Sequence, residues 1–101
     1  MKSRKEVARL ANEYVAAFEM TYQPKNKKMA QIIAYGKKEL EDRQIAPQII
    51  MEKMVTAIYR LIVEQKCTIG DDAAQILKQM EILSRTKTLL PFKRYDPWII
   101  E

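Results

Sequence analysis

Cys67 is the only cysteine in this 101-residue chain, and histidine is absent. A disulfide within the chain and a zinc site of the Cys/His kind are therefore both excluded. The commonest general base is missing too, and with it the usual partner of a nucleophilic serine or cysteine. Cys67 falls near the expected end of a helix, where the dipole disfavours a thiolate, so it reads as a small, partly buried side chain rather than a nucleophile. Carboxylate metal centres in helical bundles need acidic residues pointing inward at i, i+3 or i+4, commonly with histidines beside them. Glu13, Glu39, Glu52, Glu64 and Glu81 project onto polar faces instead. Gly36 and Gly70 are the only glycines, which rules out a glycine-rich phosphate loop. Neither catalysis nor a metal or cofactor is expected.

Charge offers a second kind of chemistry. The chain carries a formal net charge of +5 and has a pI near 9.4, which raises nucleic acid or an anionic membrane surface as partners. Lys2, Arg4 and Lys5 open the chain, and Lys25, Lys27, Lys28, Lys37 and Lys38 cluster further on, all able in principle to meet phosphates. Glu6, Glu39, Glu41 and Asp42 interleave with them, and Lys38 with Asp42 has the i, i+4 spacing of a pair on a solvated helix face. No helix-turn-helix spacing is present. Between Lys78 and Tyr95 the balance is different, with Lys78, Arg85, Lys87, Lys93 and Arg94 against Glu81 alone. On a helical projection Ile82 points away from the apolar stripe, framed by Lys78 and Arg85. With Phe92, Tyr95 and Trp98 downstream, this stretch reads as a surface for recognising a partner near anionic lipid. In the competing reading, the C-terminal tail folds over Ile82 and buries it against Phe92 or Trp98.

The elements that position these residues follow from apolar periodicity. The longest uninterrupted pattern is Pro47 to Lys66, in which Ile50, Met51, Met54, Val55, Ala57, Ile58, Leu61 and Ile62 share one broad face opposite Glu52, Lys53, Thr56, Arg60 and Glu64. Proline suits its first turn, and a stripe this wide is expected to touch two or more neighbouring helices. Before it, Ser3 and Glu6 have capping-box spacing ahead of Val7, Leu10, Ala11, Tyr14 and Phe18, which predicts a helix over 4–21 that stops before Pro24. Asn26 is the expected N-cap of a helix over 27–43 with Met29, Ile32, Ile33, Gly36 and Leu40 inward. Gly36 costs about 1 kcal/mol against alanine there but admits another backbone closely, the central helix being its expected neighbour. After Lys66 the segment CTIG breaks the pattern. Asp71 and Asp72 then supply an N-cap and first-turn charge for a helix over 71–87, with Ala73, Ile76, Leu77, Met80 and Leu83 buried. Met51, Met54 and Met80 read as adaptable core filler.

Short links between these helices imply one all-α domain, an antiparallel up-down-up-down four-helix bundle, with residues 89–101 as a C-terminal tail packed on it. A chain of this size buries roughly 65% of its extended surface, enough for a core without staples. Charged residues interrupt every apolar run before the roughly 18 residues a membrane span needs, and no signal-peptide pattern is present. A cytoplasmic location is expected.

The run AYGKKELEDRQIAPQIIMEKMVTAIYRLIVEQK from Ala34 to Lys66, with Leu40, Pro47 and Ile58-Tyr59, resembles the second and third helices of the immunity proteins of pediocin-like (class IIa) bacteriocins, the enterocin A immunity family. MEILSRTK, from Met80 to Lys87, resembles the ending of that family's fourth helix. The likeness covers roughly residues 5 to 90 and rests on diffuse helical patterning; Pro91, Pro97 and Trp98 depart from the family's pattern. The resemblance implies a protein that shields a producer cell from its own toxin by binding the toxin-bound mannose phosphotransferase permease from the cytoplasmic side, with peripheral contact at the inner face of the membrane. Specificity would lie in the C-terminal half, which matches Lys78, Ile82, Arg85, Lys87, Lys93, Arg94, Tyr95 and Trp98 as the recognition residues. The alternative is a small basic helical nucleic-acid-binding or adaptor protein.

Overall fold

Four α-helices account for most of residues 3–86, the part of the chain that the computed structural model describes: α1 Arg4–Thr21, α2 Lys27–Asp42, α3 Pro47–Gln65 and α4 Asp71–Ser84. No strand occurs among the described residues. Each start has a local cause. The Ser3 hydroxyl accepts from the Glu6 amide, and the Asn26 side chain accepts from the amides of Lys28 and Met29, so α1 and α2 begin on side-chain caps. Helix α3 begins with Pro47, whose missing N–H would have had no partner there. The expected N-cap of α4 needs correcting: Gly70 occupies it, with φ of 88°, and Asp71 and Asp72 lie in the first turn as charge alone.

The helix ends also differ slightly from expectation. Helices α2 and α3 stop one residue short of the predicted 43 and 66, because Arg43 and Lys66 turn left-handed at φ of 57° and 52°. The thiol of Cys67, half-buried, donates to the Leu61 carbonyl at 3.6 Å and so folds back on the last turn of α3. Helix α4 was expected to reach 87 and instead ends at Ser84. The Arg85 and Thr86 amides fall back onto Ile82 and Leu83 in a tightened turn, and the hydroxyls of Ser84 and Thr86 take the carbonyls of Glu81 and Ile82. The predicted tail, 89–101, lies outside the described residues.

The topology is the expected one. Helices α1, α2, α3 and α4 follow one another around the bundle, α4 closing against α1, and α1 also meets α3 across one diagonal; α2 and α4 do not touch. Two links pin the ends. The Gln23 amide donates to the Ile69 carbonyl at 3.0 Å, joining the α1–α2 and α3–α4 turns at one end, and at the other Gln48 Nε2 reaches the Thr86 carbonyl at 3.1 Å. Both links place consecutive helices in opposite directions. At the first of these turns Phe18 and Tyr22 stack with ring centroids 5.6 Å apart, while Lys25 lies over the Tyr22 ring and donates to the Glu19 carbonyl.

Burial follows the predicted stripes closely. Val7, Ala11 and Phe18 of α1, Met29, Ile33, Gly36 and Leu40 of α2, and Ala73, Leu77, Met80 and Leu83 of α4 are buried around Ile50, Met51, Met54, Val55, Ile58 and Leu61 of α3. Leu10, Tyr14, Ile32, Ile62 and Ile76 are half-buried at the edges of that core. Three buried positions were missed, Val15, Tyr22 and Ile69: Val15 because α1, like α3, meets all three other helices and needs a wider stripe than its own pattern suggests, Tyr22 and Ile69 because they lie just outside the helices, where no periodicity marks them. The neighbour predicted for Gly36, the central helix, is the one found, but what it brings close is a side chain and not its backbone. A Cβ there would fall inside the Met54 side chain, so the absence of one is what seats α3 against α2.

Candidate functional site

Helix α4 turns the predicted recognition residues outward. Lys78 and Arg85 are exposed and Ile82 between them keeps 51% of its surface, since all three project opposite Ala73, Leu77 and Met80. The basic frame is weaker than composition suggests, however. Arg85 Nη2 stands 2.8 Å from Glu81 Oε2 and is already engaged one turn back along its own helix. Lys78 therefore carries most of the unbalanced charge beside Ile82. Lys87, Lys93, Arg94, Tyr95 and Trp98, and with them any cover over Ile82 from Phe92 or Trp98, lie outside the described residues.

The basic residues weighed for nucleic acid are dispersed in the same way. Lys37 pairs with Glu19 of α1 at 2.9 Å, and Lys25 is held over the Tyr22 ring. The expected Lys38–Asp42 pair is not formed among the described residues, and Lys38 is exposed. Lys27, Lys28 and Lys38 remain exposed on α2. No group of three or more His, Cys, Asp or Glu that could hold a metal ion is assembled among the described residues.

Sequence reasoning missed a surface feature that lies between α2 and α3. An open trough of about 580 Å³ runs along their outer seam, floored by Ile32, Gly36, Ile50, Met54, Ala57 and Leu61. Lys28, Tyr35 and Glu39 line its α2 side, and Lys53, Arg60 and Glu64 its α3 side. Of the exposed large apolar side chains, Tyr35, Ile49, Tyr59 and Val63 all sit on these two helices, leaving Met20 and Ile82 elsewhere. Only Tyr35 of these lines the trough; Ile49, Tyr59 and Val63 share the separate α3 face that Glu52 and Thr56 mark as polar, so apolar residues recur there where only solvated ones were expected.

This chain matches no protein-family model, no curated protein and no solved structure. No helix among the described residues is long and apolar enough to cross a membrane.

Proposed function

We propose that this chain is a non-catalytic binding protein that acts as a bacteriocin immunity protein, guarding its cell against a class IIa toxin by gripping the toxin-bound mannose phosphotransferase permease from the cytoplasmic side. The observation that supports this reading most directly is Ile82, half exposed on the outer face of α4 between Lys78 and Arg85, where a cationic frame around an apolar anchor suits a membrane-embedded protein at an anionic surface. The resemblance of residues 34–66 and 80–87 to the enterocin A immunity family lends it the biological role.

Expression of the chain in a toxin-sensitive strain, challenged with a panel of class IIa bacteriocins, tests it. Survival against one or a few toxins is the expected result, with Ile82→Glu losing protection while the fold is retained. Unchanged sensitivity to every toxin would refute the reading. The alternative, a basic helical nucleic-acid-binding or adaptor protein, draws on exposed Lys27, Lys28 and Lys38. A nucleic-acid binder would retard duplex DNA with a steep dependence on salt.

A further inference from the structure

The buried methionines are not equivalent. Met29, Met51 and Met80 keep at most 1% of their surface, whereas Met54 keeps 4% and is the one methionine that lines the α2/α3 trough. Met20, on α1, stands in solvent. The trough is open along its length, so a molecule as small as hydrogen peroxide can reach Met54 without the bundle unfolding, a route that its lining gives to none of the other three. The Met54 sulfur also has a structural task. Its Sδ, Cε and Cγ are the atoms nearest to where a Cβ on Gly36 would stand, so the thioether fills that notch and holds α3 against α2.

Oxidation converts this apolar filler into a polar group. With hydrogen peroxide, a sulfur lone pair attacks one peroxide oxygen, and the S–O bond forms as the O–O bond breaks. The proton on the transferred oxygen passes to the departing hydroxide, which leaves as water; sulfur gives up two electrons and peroxide takes them. The sulfoxide oxygen accepts hydrogen bonds, and the notch offers it no donor. Gly36 has no side chain, and its N–H belongs to the hydrogen-bond ladder of α2. Donors stand on the rim instead, at Lys53 on α3 and at Gln31 and Tyr35 on α2, with water beyond them. We infer that Met54 is an oxidation site of this protein, and that its sulfoxide, drawn from the Gly36 notch towards the trough rim, loosens the α2/α3 seam. The inference is independent of the toxin reading.

Treatment of the full chain with graded hydrogen peroxide, followed by peptide mapping, reads the order of attack. Met20 is expected to oxidise first and Met54 next, well ahead of Met29, Met51 and Met80. In a Met20→Leu background the chain oxidised at Met54 is expected to melt about 5 °C lower, with amide shifts centred on Gly36 and Met54. Methionine sulfoxide reductase should restore both. The double variant Met20→Leu/Met54→Leu, a volume-conserving change at the notch, should keep its own melting temperature under the same treatment, which separates Met54 from oxidation elsewhere. Attack on Met54 no faster than on Met51, a melting temperature unchanged once Met54 is oxidised, or an equal fall in the variant lacking Met54 would each overturn the inference.

Discussion

Adjacent residues of α3 meet opposite surroundings: Ile58 is fully buried with Met51 and Val55 in the bundle interior, whereas Ala57, one step along the chain, sits in an open trough between Lys53 and Arg60. Interior positions are filled by large side chains that reach the neighbouring helices. The outer seam carries Gly36 and Ala57, and what they omit matters more than what they touch. Gly36 lets Met54 into the space a side chain would occupy, bringing the helices together, while Ala57 leaves room above the same seam. The difference teaches that this helix is specified twice, by bulk on one side for stability and by smallness on the other for an accessible surface.

Removing bulk should have the largest effect. Ile58→Ala is expected to cost about 2–5 kcal/mol in urea unfolding, the transfer term plus the cavity it leaves. A loss below 1 kcal/mol would mean that the interior of α3 is no better packed than its outer seam, erasing the contrast. Adding bulk at the seam comes next. Gly36→Leu is expected to cost about 1–3 kcal/mol through overpacking, and part of that loss should return in a Met54→Ala background, because the two side chains compete for one space. Independent, additive losses would show that Met54 is not what Gly36 accommodates. The smallest effect is expected at Ala57→Leu, within about 0.5 kcal/mol of wild type by thermal melting. A large loss of stability there would show that the trough is part of the core.

The fold was readable from residue types to within a turn at every helix end. Ser3, Asn26 and Pro47 announce the starts of α1, α2 and α3 through chemistry confined to one turn, and the apolar residues at i, i+3 and i+4 name the buried faces. Misreadings arose where several local options competed. Asp71 looked like a cap, but Gly70 takes the non-helical position before it, and Ser84 and Thr86 draw off carbonyls that would have carried α4 onward. The recognition face was half readable. Ile82 is exposed as its projection required, but the Arg85–Glu81 pair that tempers its basic frame depends on side-chain placement that no periodicity reports.

Periodicity is a property of a single helix, repeated every few residues, so the chain alone established four amphipathic helices, their order and the sides they bury. A trough exists only between two helices, and its shape depends on how closely they approach and on which side chains are too short to fill the gap. The seating of Met54 at Gly36 sets that approach, across a turn and from a different element. Those relations are distances between elements, and tertiary packing alone decides them.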